Sequence, residues 1–235
     1  MIDLHTHILP GLDDGAASLS EAQRMLEIAA GDGITKLLAT PHFMAGWFEP
    51  EPAQILAGVE QLNQYAIAKG LQIRVLPGME VALSPEVPTL LQKGRLLTLN
   101  GQGQYLLLEL PVGDIPFYTE SLLFELQLKG ITPVLAHPER NRLVEENPRR
   151  LKEMVMRGAL VQITGDSILG KFGRRTRKIT QELVKDGLVH ALGSDAHSSQ
   201  HRPPVLKPAA AALAKLLGPE KTDIITRADK LGTFP

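Results

Sequence analysis

Two histidines separated by a single residue, His5-Thr6-His7, stand in the apolar run that opens the chain. Side chains alternate along an extended strand, so this spacing aims both imidazoles to one side. Imidazoles so placed are a ready pair of metal ligands. Comparable residues follow at or just after later apolar runs: Asp13-Asp14, Thr40-Pro41-His42, Gly78-Met79-Glu80, Glu109, Ala136-His137-Pro138 and Ser194-Asp195-Ala196-His197. Five of the seven histidines belong to this set, a distribution that a random scatter would not give. Each member has a plainer reading when taken singly. A lone histidine at a strand end is usually a cap or a surface residue, Asp13-Asp14-Gly15 is an ordinary turn, and Glu109 could neutralise a buried cation. Together they outweigh those readings, because so many carboxylates and imidazoles around one opening would repel one another without cations. Nitrogen and oxygen donors without sulfur suit Zn, Mn or Fe(II). The donors also outnumber what one ion needs, which predicts a polynuclear site. His190 and His201 lack this support; His190 is expected against a helix layer and His201 at the surface.

Such a set must be positioned by a framework that brings strand ends together. Strands are predicted at Ile2 to His7, Thr35 to Ala39, Ile73 to Leu76, Tyr105 to Leu110, Pro133 to Ala136, Leu160 to Thr164 and Val189 to Leu192. Helices are predicted between them: after Ser18, over Pro52 to Lys69, near Pro85 to Gln92, and over Thr119 to Lys129, Pro148 to Arg157 and Arg175 to Lys185. Two more, near Val205 to Leu217 and Thr222 to Asp229, close the chain. Ser18-Leu19-Ser20-Glu21 reads as a capping box, and Ala22, Met25, Leu26, Ala29 and Ala30 recur at helical spacing. Gly31 and Gly33 are expected to stop that helix. Strands alternating with helices imply parallel β-α units. Polar residues at most strand ends favour a β/α barrel with its site at the C-terminal mouth over an open sheet with one switch point. No Pro/Gly/Ser-rich linker or repeat divides the chain, so one domain over residues 1–235 is expected.

Composition narrows the function. The formal net charge of −1 disfavours a general nucleic-acid binder. The absence of cysteine excludes disulfides, zinc-thiolate sites and a cysteine nucleophile. The first residues lack a basic segment leading into an apolar one, and no apolar run is long enough to span a bilayer. A soluble, cytoplasmic protein without direct membrane insertion is expected.

The motifs resemble the PHP (polymerase and histidinol phosphatase) superfamily of metallo-phosphoesterases. The longer strings are similar to bacterial tyrosine-protein phosphatases of capsule and exopolysaccharide loci. Those strings are the opening Asp3 to Gly15, Ala39-Thr40-Pro41-His42, Leu108-Glu109-Leu110-Pro111, Ala136-His137-Pro138-Glu139-Arg140-Asn141, and Gly193-Ser194-Asp195-Ala196-His197 with Arg202-Pro203-Pro204. The resemblance covers nearly the whole chain; the segments between the motifs, particularly Met44 to Glu51, are not matched to the pattern in detail. It implies a distorted seven-stranded (β/α)7 barrel holding three divalent ions, with Mn favoured and Fe or Zn as alternatives. His5, His7, Glu80 and Asp195 would hold one ion, Glu80, Glu109 and His137 a second, and Asp14, His42 and His197 a third. Asp13 would orient a ligand. Arg140 and Arg202 match the family's phosphate-binding arginines, a role that suits a guanidinium fork; the plainer reading of Arg140 is an ion pair with Glu139 or Glu145.

The implied reaction is hydrolysis of phosphotyrosine by metal-activated water. The implied substrate is the tail of a membrane-associated bacterial tyrosine kinase controlling capsule or exopolysaccharide synthesis. Lys171, Arg174, Arg175, Arg177 and Lys178 could attract such a polyanionic tail, or could simply be a solvated helix start. Within the superfamily the rival activity is hydrolysis of a small phosphomonoester such as histidinol phosphate. A rival of another class is a non-catalytic metal-binding module that serves a polymerase.

Overall fold

The computed structural model describes residues 1–228 and Leu231. In chain order the strands are β1 (Ile2–Thr6), β2 (Lys36–Ala39), β3 (His42–Phe43), β4 (Arg74–Pro77), β5 (Glu80–Ala82), β6 (Tyr105–Glu109), β7 (Thr132–Ala136), β8 (Leu160–Thr164) and β9 (Ala191–Gly193). The helices are α1 (Leu19–Gly31), α2 (Pro52–Lys69), α3 (Val87–Gln92), α4 (Thr119–Leu128), α5 (Arg142–Glu146), α6 (Arg149–Met156), α7 (Gly165–Leu169), α8 (Arg174–Lys185), α9 (Lys207–Leu217) and α10 (Pro219–Thr226). The expected closing helix therefore starts earlier, at Pro219, while Asp229 lies outside the described residues.

All strand pairings are parallel. They form one sheet in the order β1-β2-β4 and another in the order β3-β5-β6-β7-β8-β9. The sequence predicts seven strands, and the structure adds two short ones just past the second and third of those runs. Thr40-Pro41 separates β2 from β3, and Gly78-Met79 separates β4 from β5. Pro41 has no N–H to give to a ladder, so pairing stops there. Gly78 lets the backbone pass close to its neighbour, since a Cβ there would lie 3.2 Å from both Leu99 and Thr40. Past each interruption pairing resumes, with His42 opposite Glu80. At the far edge β1 runs beside the end of β9. His7 donates its amide to the Ala196 carbonyl at 2.9 Å, and Asp195 donates to the His5 carbonyl at 2.8 Å. The parallel sheet is thus curled until its first and last strands meet.

Alternate strand residues feed two cores. Leu37, Val75, Leu106, Leu108, Leu135, Val161 and Leu192 pack with the helices. Leu4, Leu38, Leu76, Leu107, Val134 and Ala191 form a second cluster between the strands. This is the all-apolar pattern of a sheet covered by helices.

At α1 the Ser18 hydroxyl accepts from the Glu21 amide at 3.2 Å, as a cap should. The return half of the expected capping box is replaced. The Glu21 carboxylate accepts from the Ser199 amide at 2.6 Å and from its hydroxyl at 3.1 Å, tying α1 to the loop after β9. Ala22, Met25, Leu26 and Ala29 are buried, and the helix runs through Gly31 to a cap at Asp32. His190 precedes β9 and bonds to β8, its amide donating to the Val161 carbonyl at 2.9 Å and its Nδ1 accepting from the Val161 amide at 3.1 Å. His201 is exposed. Among the described residues no helix is long and apolar enough to cross a membrane.

Candidate metal centre

The C-terminal ends of the strands carry the predicted ligands to one place. His5 lies in β1 and His7 follows it, His42 opens β3, Glu80 opens β5, and Glu109 closes β6. His137 follows β7, while Asp195 and His197 follow β9. Asp14 reaches in from the loop after β1. The nine side chains fall into four overlapping groups, His7/Asp14/His42/His197, His5/His7/Glu80, His5/His137/Asp195 and His42/Glu80/Glu109, with donor atoms within 4.8 Å of one another in each. His5, His7, Glu80, His137 and Asp195 are buried, whereas Asp14 is exposed at the rim.

The hydrogen bonds around the two opening histidines settle their tautomers. His5 Nδ1 faces the Gln162 Oε1 acceptor at 3.1 Å, and His7 Nδ1 faces the Asp13 carboxylate at 2.6 Å. Each Nδ1 therefore carries a proton, leaving each Nε2 to hold either a second proton or a metal ion. These two Nε2 atoms stand 3.0 Å apart. They also face Glu80 Oε2, at 3.0 Å from His5 and 3.3 Å from His7. Glu80 Oε2 is buried and makes no well-formed hydrogen bond, although three imidazole nitrogens surround it. Imidazole nitrogens and a carboxylate oxygen converging on one volume stay together only when positive charge, protons or metal ions, lies among them. The donor set fits divalent ions on this ground.

Two glycines make the packing possible. A Cβ on Gly15 would lie 2.1 Å from the His7 carbonyl oxygen, and one on Gly193 would lie 2.7 Å from both His5 Cβ and Gln162 Nε2. Two ligand positions take backbone conformations rare outside glycine: φ is 29° at His137 and 52° at Asp195.

Other contacts distribute the remaining ligands. His137 Nε2 reaches Glu80 Oε1 at 2.8 Å and Glu109 Oε1 at 3.9 Å. His42 Nδ1 reaches Glu80 Oε2 at 3.0 Å, and its Nε2 lies 3.7 Å from Asp14. His197 Nε2 lies 3.5 Å from the same Asp14 oxygen. Arg140 and Arg202 both donate to Asp195 Oδ2 at 2.5 Å. The other Asp195 oxygen faces His5, His7 and His197. Arg140 pairs with neither Glu139 nor Glu145; its guanidinium lies 4.8 Å over the Phe172 ring. Glu139 is buried, accepting from the Thr164 amide at 2.9 Å.

Charge follows this geometry. Burial alone would raise the carboxyls of Glu80 and Asp195, but His5, His137 and their neighbours hold both well below the usual range. Burial works against protonation of His7, yet Asp13, Asp195 and Glu80 raise it well above an ordinary histidine. Burial and the adjacent Glu80 charge raise Glu109. Burial, followed by the charge on His7, lowers His197 to about 4. Burial pushes Asp3, which accepts from the Ser194 amide, up to about 6. The centre is a sink for positive charge.

Sequence reasoning missed Gln162 and Phe172. A glutamine in the apolar run Leu160 to Thr164 was the available signal for the first; an isolated phenylalanine gave none for the second. The basic segment is largely neutralised: Lys171 pairs with Asp166 at 2.8 Å, Arg175 with Glu145 at 3.3 Å and Lys178 with Glu182 at 3.8 Å.

Residues 1–230 match the family description "Capsular polysaccharide synthesis, CpsB/CapC". The chain belongs to this family. It is 41% identical over 226 residues to the tyrosine-protein phosphatase YwqE of Bacillus subtilis, covering 96% of this chain and 89% of that protein. It is 28% identical over 226 residues to the tyrosine-protein phosphatase CpsB of Streptococcus pneumoniae, covering 94% and 93%. A structure from crystallographic work on YwqE and CpsB, called there unique metal-dependent tyrosine phosphatases, superposes with a TM-score of 0.93 at 40% identity. That superposition covers 98% of this CpsB/CapC-family chain and 94% of the other. Histidinol phosphate phosphatase from Lactococcus lactis shares the fold alone, with a TM-score of 0.59 at 12% identity over 96% of this chain and 94% of that one.

Proposed function

We propose that this chain is a metal-dependent protein-tyrosine phosphatase that hydrolyses phosphotyrosine. Its substrate is the tail of a bacterial tyrosine kinase controlling capsule or exopolysaccharide synthesis, and it acts in the cytoplasm. The observation that carries the reading is the meeting of the His5 and His7 Nε2 atoms at 3.0 Å beside the buried Glu80 Oε2, in a chain so similar to tyrosine phosphatases over its length.

The curled sheet is read as one distorted seven-stranded β/α barrel within a single domain over 1–235, the interrupted strands each counting once and the centre lying at the C-terminal mouth. Three divalent ions would be held: one by His5, His7, Glu80 and Asp195, one by Glu80, Glu109 and His137, and one by Asp14, His42 and His197. Mn is favoured, and Fe or Zn suits the same donors. Bound ions supply an acidified water for in-line attack on phosphorus and neutralise phosphate charge.

The chain's own residues do the rest. Asp13 and Gln162 hold the protons on His7 and His5 at Nδ1, leaving each Nε2 as a donor. Asp195 Oδ2 aims Arg140 and Arg202 into the mouth, where about a third of each side chain stays exposed (32% and 30%). Their free N–H groups would take phosphate oxygens. The Phe172 ring supports the Arg140 guanidinium from one face. The leaving phenolate has a conjugate acid of pKa about 10 and needs little protonation help. With no cysteine in the chain, a phosphocysteine route is closed.

Exhaustive chelation should abolish phosphotyrosine hydrolysis, Mn(II) should restore it, and thiol alkylation should leave it intact. Activity persisting in protein shown to be metal-free refutes the reading.

A further inference from the structure

The segment from Met44 to Glu51 lies between the motifs that carry the resemblance, and its first half is a built turn. The Met44 amide donates to the Phe48 carbonyl at 2.7 Å, and the Trp47 and Phe48 amides both donate to the Met44 carbonyl at 2.9 Å. Gly46, at φ +80°, turns the chain. Its amide donates to Glu49 Oε1 at 2.8 Å. The turn follows directly on β3, which begins with His42.

This ordered turn holds the chain's only tryptophan out to water, with Trp47 80% exposed. A large indole kept in solvent beside a catalytic opening marks a contact surface. Phe48 continues that surface to the metal centre, lying ring over ring with His42 at 6.1 Å between centroids and 17° between planes. Trp47 and Phe48 share a cavity of about 330 Å³ with Leu12, Asp13 and Glu49. Its inner wall, Asp13, is bonded to His7. The lining contains two carboxylates and no cation, so it rejects a second phosphate or an acidic side chain. Within that polar lining, the Trp47 and Phe48 rings are the surfaces that a flat, uncharged group could pack against.

We propose that Trp47 and Phe48 form the wall on which the phenyl ring of phosphotyrosine packs, making this turn the determinant of aryl over alkyl phosphate esters. The proposal rests on the phosphatase reading above. Aromatic faces in offset or edge contact at such separations add to simple burial, and a phosphoserine side chain has no ring to offer.

Trp47 is also the only indole fluorophore, so binding can be read without turnover. A peptide carrying a non-hydrolysable phosphonomethyl-phenylalanine, titrated into the Mn-loaded enzyme, should change its fluorescence saturably. The same peptide with an alkyl phosphonate in place of the aryl one should not. In turnover, Trp47→Ala should lower the ratio of kcat/KM for a phosphotyrosyl over a phosphoseryl peptide about tenfold, the factor given by about 1.4 kcal/mol. Most of the change should fall in KM, and Trp47→Phe should retain the ratio. An unchanged ratio in Trp47→Ala, or an aryl phosphonate that inhibits without altering fluorescence, overturns the subsite while leaving the phosphatase reading standing. Failure of the unsubstituted Mn-loaded enzyme to hydrolyse the phosphotyrosyl peptide overturns both.

Discussion

Replacing Asp13 with asparagine keeps the side chain's shape and removes its charge. Asp13 Oδ2 accepts from His7 Nδ1 at 2.6 Å and from the His42 amide at 2.9 Å, while Oδ1 accepts from the Gly15 amide at 2.9 Å. An asparagine has one accepting oxygen, so some donor must lose its partner in either orientation. If the oxygen stays toward His7, the Gly15 amide faces an NH2 group and the bond to His7 loses its charge. If the amide is reversed, His7 must move its proton to Nε2 and can no longer ligate. A hydrogen bond to a charged group contributes about 1.5–3 kcal/mol, which corresponds to roughly 10- to 150-fold in an equilibrium constant. Substitutions of groups that orient a ligand cost about 10- to 100-fold in metal affinity, a matching range. Asp13→Asn should therefore weaken binding of at least one ion by about 10- to 100-fold, measured by competition against a chelating dye. Excess Mn(II) should recover much of kcat if the oxygen stays toward His7, and little if the amide reverses. Unchanged affinity for every ion would refute the tautomer argument and with it the role of Asp13.

Other perturbations test neighbouring parts of the site. His5→Ala and His7→Ala should lose bound metal and activity together, by elemental analysis alongside turnover; lost activity with full occupancy would contradict their role as ligands. Gly15→Ala forces a Cβ to 2.1 Å from the His7 carbonyl, and should lower thermal stability by about 1–3 kcal/mol as an overpacked site does; an unshifted melting curve would count against the close approach. Arg140→Lys removes the fork that grips Asp195 and the planar group over Phe172, and should lower kcat/KM about 10²-fold, typical of a lost transition-state donor; a near-normal value would exclude a phosphate role. Glu21→Ala opens the clasp on Ser199 and should raise KM about fivefold, the effect of about 1 kcal/mol, by loosening the loop that carries Arg202; unchanged KM would make that clasp purely structural.

The candidate ligand set was legible because metal chemistry needs particular residue types, and strand ends announce themselves as short apolar runs. His5, Glu80, His137 and Asp195 could all be named before any geometry was known. What escaped depends on contacts between distant segments. The bond from Gln162 to His5 spans 157 residues, and that from Glu21 to Ser199 spans 178. Local pattern made the Ser18-to-Glu21 segment a capping box, and tertiary contact diverted one half of it. Seven strands were expected where pairing is interrupted at Pro41 and near Gly78, because a short break hardly alters hydrophobic periodicity. The α5 and α7 helices, five residues each, are too short to show a period.

His137 and Asp195 sit at φ 29° and 52°, on the left-handed side where side chains other than glycine are disfavoured. Each such residue costs about 1–3 kcal/mol, and the rest of the fold must sustain that strain. Here the cost falls on two side chains that face the centre from neighbouring parts of the rim. The consequence is that glycine at either position would relax the backbone while deleting a donor. His137→Gly would leave buried Glu80 Oε1 without its imidazole partner at 2.8 Å, so the variant stripped of metal should melt no higher than equally stripped parent protein. The less comfortable backbone is what aims an imidazole and a carboxylate inward.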